Sequence, residues 1–239
     1  MEEVFSRTEQ LLGRERFQKL RRCHVMVLGA GGVGSHCMEA LARAGVGRLT
    51  LVDSDRVAPS NINRQSIALL STVGRYKTEV MKEKIRDICP DTQVECRETF
   101  VLPDNVDTLF EERPDYIVDA IDTVSAKIAV AERAREYKIP LISSMGTGNK
   151  LHGELFQIGD LSETSVCPLC RVMRRELKKR GIEHLKVLYS TEKPIPPQTP
   201  EKGEDEDEGK RLPPGSISFV PPVAGLLIAG EVVRDLLEL

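Results

Sequence analysis

The chain has 239 residues, a formal net charge of -3, 40% hydrophobic residues, six cysteines and no tryptophan. That length holds one large α/β domain, or one with an extension, and the charge excludes binding of polyanions by bulk composition, leaving only local basic faces. Residues 1–22 lack an apolar signal core and the apolar run at 223–229 is too short for a bilayer, so a cytoplasmic protein with reduced thiols and no membrane partner is expected.

In chain order, residues 1–22 read as an amphipathic helical arm. Residues 25–28 form a short apolar run of the kind a buried parallel strand needs. A glycine loop follows, then a helical pattern at 35–44 with Met38, Leu41 and Ala42 on one face. Residues 48–52 read as a second strand ending at Asp53, which completes a βαβ unit. Residues 78–88 read as a helix, 93–97 as a strand, 116–121 as a strand, 125–137 as a helix and 141–144 as a strand. The alternation predicts a doubly wound, Rossmann-like, mostly parallel sheet over 23–150. The C-terminal extension, 151–239, is expected to hold strands at 154–158, 185–190 and 216–220, a basic helix at 171–180 and a final helix at 222–237. Between them, about 194–214, the proline-rich and acidic composition reads as a mobile loop.

The loop Gly29-Ala30-Gly31-Gly32-Val33-Gly34 carries the first chemistry. Its glycines let the backbone approach phosphates, and the helix behind it supplies free N–H groups and positive potential. Asp53, nineteen residues after Gly34, is placed to accept hydrogen bonds from a ribose. An NAD-dependent dehydrogenase is the usual owner of such a loop, but Asn61, Asn63, Arg64, Gln65, Lys77 and Asp122 point elsewhere. Arg64 and Lys77 suit a triphosphate, and Asp122, at the carboxyl end of a strand, suits Mg²⁺. Two cations and a metal fit nucleotidyl transfer, where charge stabilisation does most of the work. Singly, each cation also reads as an ordinary surface charge.

These motifs, with Val52-Asp53-Ser54-Asp55, Asn61-Ile62-Asn63-Arg64-Gln65 and Asp119-Ala120-Ile121-Asp122 in order, resemble the adenylating domain of ubiquitin-activating-type enzymes. The resemblance implies that Gly29, Gly31, Gly32, Gly34, Asp53, Asp55, Asn61, Asn63 and Gln65 hold ATP. It implies that Arg64 and Lys77 contact phosphates, and that Asp122 supports Mg²⁺. It also implies a homodimer in which an N-terminal arginine, matched here by Arg7, reaches the partner's ATP. Ser71-Thr72-Val73-Gly74, Arg171-Val172-Met173-Arg174-Arg175-Glu176-Leu177 and Gly215-Ser216-Ile217-Ser218-Phe219 are similar to the branch of tRNA threonylcarbamoyladenosine dehydratases. That branch activates, with ATP, the carboxylate of the threonylcarbamoyl group on adenosine 37 of tRNA, and loss of AMP closes a ring. Activation of a ubiquitin-like sulfur carrier is the alternative reading. A monovalent cation, Na⁺ or K⁺, and a sulfur-transfer partner stay open.

From Arg171 to Lys193 there are eight Lys or Arg against three Glu. Arg171, Arg174, Arg175, Lys178, Lys179 and Arg180 therefore read either as a contact to an RNA backbone or as a solvated helix face. Cys167 and Cys170 form a single CxxC. A structural zinc site needs a second pair, which the sequence lacks. The two thiols stay open as a nucleophile, a redox pair or inert groups. Cys23 and Cys37 read as core residues.

Overall fold

The computed structural model describes residues 3–196 and 214–239. The chain enters through two short helices, α1 (Ser6–Leu12) and α2 (Arg14–Leu20), broken at Gly13 rather than continuous. Phe17 and Leu20 of α2 are buried, so the arm packs onto the domain. β1 (His24–Leu28) is buried at every position, as a strand covered by helices on both faces must be. α3 (Gly34–Ala44) follows the glycine loop and stops at Gly45, whose left-handed φ of 99° closes the helix. β2 (Arg48–Val52), α4 (Lys77–Ile88), β3 (Gln93–Arg97), β4 (Tyr116–Asp119), α5 (Val124–Tyr137) and β5 (Leu141–Ser144) complete the alternating part. β6 (Phe156–Asp160), α6 (Pro168–Lys178), β7 (Lys186–Ser190) and α7 (Val220–Leu237) form the rest.

One seven-stranded sheet runs β3-β2-β1-β4-β5-β7-β6. Every pairing is parallel except β6 with β7. The 151–239 region is therefore an extension of the same sheet, with its own antiparallel edge. Strand order reverses between β1 and β4, and such a switch point is where open α/β sheets bind ligands.

One core lies between the sheet and α3, α4 and α7, with Val27, Leu41, Leu51, Met81 and Ile228 fully enclosed. The other face is covered by α5, with Leu28, Ile117 and Val130 at its centre. A third cluster joins α6 to the sheet through Met173, Leu177 and Val187. α7 lies close against the start of α3. A Cβ on Gly225 would sit 2.4 Å from Val33 O, so only glycine permits this approach.

Several expected boundaries move. β4 ends at Asp119, and Ala120 and Ile121 leave the sheet for the site. β6 begins two residues later than its expected start, after a 3-10 turn at Gly153–Leu155. The expected strand at 216–220 does not exist. Residues 214–217 are irregular, 218–219 turn and Val220 opens α7. The side chain of Asn63 takes Ser216 O, and Gly215 bonds Asn149, so this stretch finds its hydrogen bonds outside any ladder. Most of the expected acidic loop lies outside the described residues.

Candidate active site

A cleft of about 410 Å³ opens at the switch point between β1 and β4. Its floor is the glycine loop. A Cβ at Gly34 would lie 1.7 Å from Gly29 O, so glycine is required where α3 leaves the turn. The same lining includes Gly29, Gly31, Gly32, Asp53, Asp55, Asn61, Arg64, Gln65, Lys77 and Asp122. The structure thus brings together all but two, Gly34 and Asn63, of the residues that the sequence assigned to ATP.

Asp53 stands at the carboxyl end of β2. Its Oδ2 accepts the Ala30 N–H at 2.6 Å and its Oδ1 accepts the Asp55 N–H at 2.8 Å. The carboxylate is therefore locked against the glycine loop, with its remaining lone pairs turned to the cleft. Lys77, the first residue of α4, is 5% exposed. Its ammonium lies 2.7 Å from Asp55 Oδ2 and 3.9 Å from Asp53 Oδ1. Arg64 Nη1 donates to Ser60 O and to Asn63 Oδ1, each at 2.9 Å. Both cations are thus held in the cleft lining on exchangeable partners. Beneath them, His36 Nε2 lies 3.1 Å from Arg64 O, and burial holds the imidazole below its ordinary pKa.

Gln65 is 6% exposed, and its Oε1 has no hydrogen-bond partner in the protein. A buried, unsatisfied polar atom in a cleft lining awaits a ligand or a bound water. Asn61 lines the cleft, and its Oδ1 accepts the Ala58 N–H at 3.0 Å. Asn63, like Gly34, falls outside the lining. It bonds Arg64 and Ser216 and supports the wall instead of lining it.

Asp122 is exposed, four residues into a segment that starts at Asp119 in β4. Asp119 is fully buried. Its Oδ1 accepts the Ile121 N–H at 3.1 Å, and its Oδ2 accepts from Ser143 Oγ at 2.6 Å and Lys127 Nζ at 3.0 Å. Lys127 also donates to Ser144 O at 2.7 Å. This enclosed network ties the ends of β4 and β5 together and orients the segment that carries Asp122.

Some lining residues escaped the sequence reading. Thr99, Phe100 and Val101 follow β3, where no motif marks them, and Phe100 is 53% exposed. An exposed ring at the mouth of a nucleotide cleft is the one available signal. Thr147, Gly148, Pro214, Ser216 and Pro221 complete the lining.

Arg7 lies exposed on α1 and does not line this cleft. Cys167 and Cys170 do not line it either. Both thiols are buried at the start of α6, with Cys167 as its N-cap. The Cys170 thiol, against the opposing effect of burial, and the N–H groups of Cys170, Gly146 and Leu169 draw the Cys167 pKa down to about 5, whereas the Cys167 sulfur and burial push Cys170 up. No group of three or more His, Cys, Asp or Glu that could hold a metal occurs among the described residues. On α6, Arg171, Arg175 and Lys178, with Lys179 and Arg180 just beyond it, are exposed. Arg174 is not part of that face. Its Nη1 points inward to Leu161 O, Thr164 O and Thr164 Oγ1, at 2.9, 2.8 and 2.8 Å.

A glycine loop at the switch point, a locked carboxylate and two cations in the lining define a Rossmann-like protein built to hold a nucleotide by its phosphates. Comparison with known proteins agrees. The model of the ThiF family matches residues 5–239. The tRNA threonylcarbamoyladenosine dehydratase of Bacillus subtilis (strain 168) is 45% identical over 240 residues, covering 98% of this chain and 94% of that protein. The crystal structure of the E. coli tRNA N6-threonylcarbamoyladenosine dehydratase in complex with AMP superposes with a TM-score of 0.89 at 34% identity, over 99% of this chain and 95% of that one. The same E. coli enzyme in complex with ATP gives a TM-score of 0.88 at 33% identity, with the same coverage. The chain belongs to the ThiF family, in its branch of tRNA threonylcarbamoyladenosine dehydratases.

Proposed function

We propose that this protein uses ATP to activate the threonylcarbamoyl carboxylate on adenosine 37 of tRNA and then closes the ring with loss of AMP. The observation that carries the reading is the cleft. It joins a phosphate loop, two cations, a carboxylate at the end of β4 and an unsatisfied Gln65 Oε1 in one cavity. Activation of a sulfur carrier shares the first step and stays second, because relatives named for the tRNA reaction match along nearly the whole chain.

In this reading each part of the cleft takes one part of the nucleotide. The ribose hydroxyls sit against Asp53, and the adenine lies along the Thr99–Val101 strip with Phe100 beside it. The phosphates rest over Gly31 and Gly32. Lys77 leaves Asp55, and Arg64 leaves Ser60 and Asn63, to take the phosphate charge. One carboxylate oxygen of the acceptor attacks the α-phosphorus, the bond to the bridging oxygen breaks and pyrophosphate departs. Lys77 and Arg64 hold the charge that builds on the transferring and leaving oxygens. A carbamoyl oxygen or nitrogen then attacks the activated carbonyl carbon, a carbamoyl N–H proton passes to water, and AMP leaves with the former carboxylate oxygen.

The donor set fits Mg²⁺: one exposed carboxylate, Asp122, beside a phosphate site is what this ion ordinarily requires from a protein. When bound, Mg²⁺ neutralises phosphate charge and draws electrons from the α-phosphorus.

A homodimer completes the proposal. Leu11, Leu226 and Leu239 are exposed around a groove between α1, α3 and α7, and an apolar surface of that kind fits an interface. Arg7 is then available to a partner's phosphates. The basic face of α6 supplies backbone contacts for tRNA in a cytoplasmic setting; the buried Cys167 and Cys170 take no part in these steps.

The deciding experiment is mass analysis of tRNA nucleosides after incubation with protein and Mg-ATP. Loss of one water from threonylcarbamoyladenosine, with equal release of AMP and pyrophosphate, is the expected result. Adenylation of a carrier ending in Gly-Gly, with unchanged tRNA nucleosides, would favour the second reading.

A further inference from the structure

The cleft has two ends. In the order β3-β2-β1-β4-β5, the loop after β3 and the loop after β5 lie on opposite sides of the switch point. Thr99–Val101 belongs to the first, the end given above to the nucleotide base. Thr147 and Gly148 belong to the second, and there they meet Pro214 and Ser216, which precede α7. This wall is assembled from stretches remote in sequence, so something must hold them in register.

Asn149 does so. Its backbone N–H donates to Gly215 O at 2.8 Å, and its side-chain Oδ1 accepts the Gly215 N–H at 2.7 Å. Its carbonyl accepts the Ile195 N–H at 2.8 Å. The residue has a φ of 57°, a left-handed conformation that asparagine adopts more readily than most side chains. Its neighbour Gly148 lets the wall close, since a Cβ there would lie 2.7 Å from Pro214 Cβ. Asn63 Nδ2 ties Ser216 O at 3.0 Å from the phosphate side. Asn63 also takes the Arg64 guanidinium, so it serves both ends. Asn149 serves one: its bonds run to Gly215 and Ile195, and none reaches Asp53, Arg64, Gln65 or Lys77.

We propose that Asn149 is a positioning residue for the acceptor: by clasping Gly215, it sets the wall that holds the carboxylate-bearing nucleoside of the RNA. This rests on the tRNA reading above. The nucleotide end of the cleft is held by bonds of its own, those of Asp53, Lys77 and Arg64.

Steady-state kinetics of Asn149→Gly with modified tRNA and Mg-ATP test the assignment. Glycine accepts the left-handed backbone without strain, so the substitution removes the side-chain amide, and with it the Oδ1 acceptor, while the folded backbone is kept. The expected result is a rise of about tenfold in KM for tRNA, the worth of one hydrogen bond. KM for ATP and kcat stay within about twofold. Asn149→Asp keeps an oxygen for the Gly215 N–H and returns KM for tRNA to within about threefold of wild type. An unchanged tRNA KM in Asn149→Gly overturns the proposal, as does an equal rise in the KM for ATP, or Asn149→Asp as weak as Asn149→Gly. A wild-type protein that forms AMP and pyrophosphate but leaves tRNA nucleosides untouched removes the tRNA reading, and the acceptor assignment with it.

Discussion

Lys127 Nζ lies 3.0 Å from Asp119 Oδ2, and each of these side chains is 1% exposed. The pair sits directly behind the site, between the helix that follows Asp122 and the strand that leads to it. Removing one partner leaves the other charge buried and unpaired. Lys127→Met is therefore expected to cost about 3–5 kcal/mol. Urea unfolding of the single variant and of Lys127→Met with Asp119→Leu checks this. The double variant should recover part of the loss, and a single variant as stable as wild type would contradict the account.

The glycine loop gives a second expectation. Alanine at position 34 places a methyl group 1.7 Å from Gly29 O, which forces the phosphate loop to open. Gly34→Ala should weaken Mg-ATP binding by about hundredfold or more, read by calorimetry. Circular dichroism will show whether the sheet survives, so loss of binding is separable from loss of fold.

Asp122→Ala tests the proposed metal-supporting role of this carboxylate. The residue is exposed and outside any strand, so its removal should shift stability by less than about 0.5 kcal/mol. ATP–pyrophosphate exchange should fall by at least about a thousandfold, the scale of losing a group that stabilises transition-state charge. Retained exchange in the folded variant would remove Asp122 from the chemistry.

How far the sequence shows this site depends on the kind of signal. The loop Gly29–Gly34, Asp53 and the strands around them were legible because a buried parallel strand, a glycine turn and a helix start leave local patterns. Arg64, Lys77 and Asp122 became legible as a set placed at loop ends. Thr99–Val101 left no pattern, since an irregular segment lines the cleft only through the position of β3. Residues 216–220, Ser-Ile-Ser-Phe-Val, alternate as a strand does, yet Gly215, just before them, bonds Asn149, and Asn63 takes the Ser216 carbonyl. Arg174 was misassigned by counting charge without the helix face. It lies four residues after Cys170 and three before Leu177, both buried, so the spacing itself turns it inward.

Two histidines predict a pH effect. Burial, with Arg48 adding to it, holds His24 below its ordinary pKa, while burial does the same for His36. His24 Nε2 lies 2.8 Å from Thr50 Oγ1 inside the protein. Below about pH 6.5 the unfolded chain binds protons at these rings that the folded chain refuses, so stability falls as the pH drops from there toward the lower folded pKa values. The depressed carboxylates, such as Glu39 and Glu231, lose their contribution only at lower pH. Denaturant midpoints between about pH 7 and pH 5 should decline for the wild type. The decline should be shallower for His24→Gln, which keeps an amide for Thr50. An equal slope in both proteins would exclude His24 as a source.

The α6 arginines separate structure from RNA contact. Arg174 spends its guanidinium on two carbonyls and a hydroxyl, so Arg174→Ala should cost about 1–3 kcal/mol of stability through unsatisfied acceptors. Arg175, Lys179 and Arg180 share Glu176, which cancels part of their charge. Arg171 and Lys178 are exposed and make no ion pair among the described residues. In the proposed tRNA contact they carry the field that the RNA backbone meets. Arg171→Ala and Lys178→Ala should leave unfolding unchanged and weaken tRNA binding at low salt. Each should reduce the slope of log affinity against log salt concentration by about 1. Measured across a salt series, a variant that loses affinity without changing the slope would place its residue outside the phosphate contact. If Arg174→Ala alone changed the slope, the inward assignment of its guanidinium would be wrong.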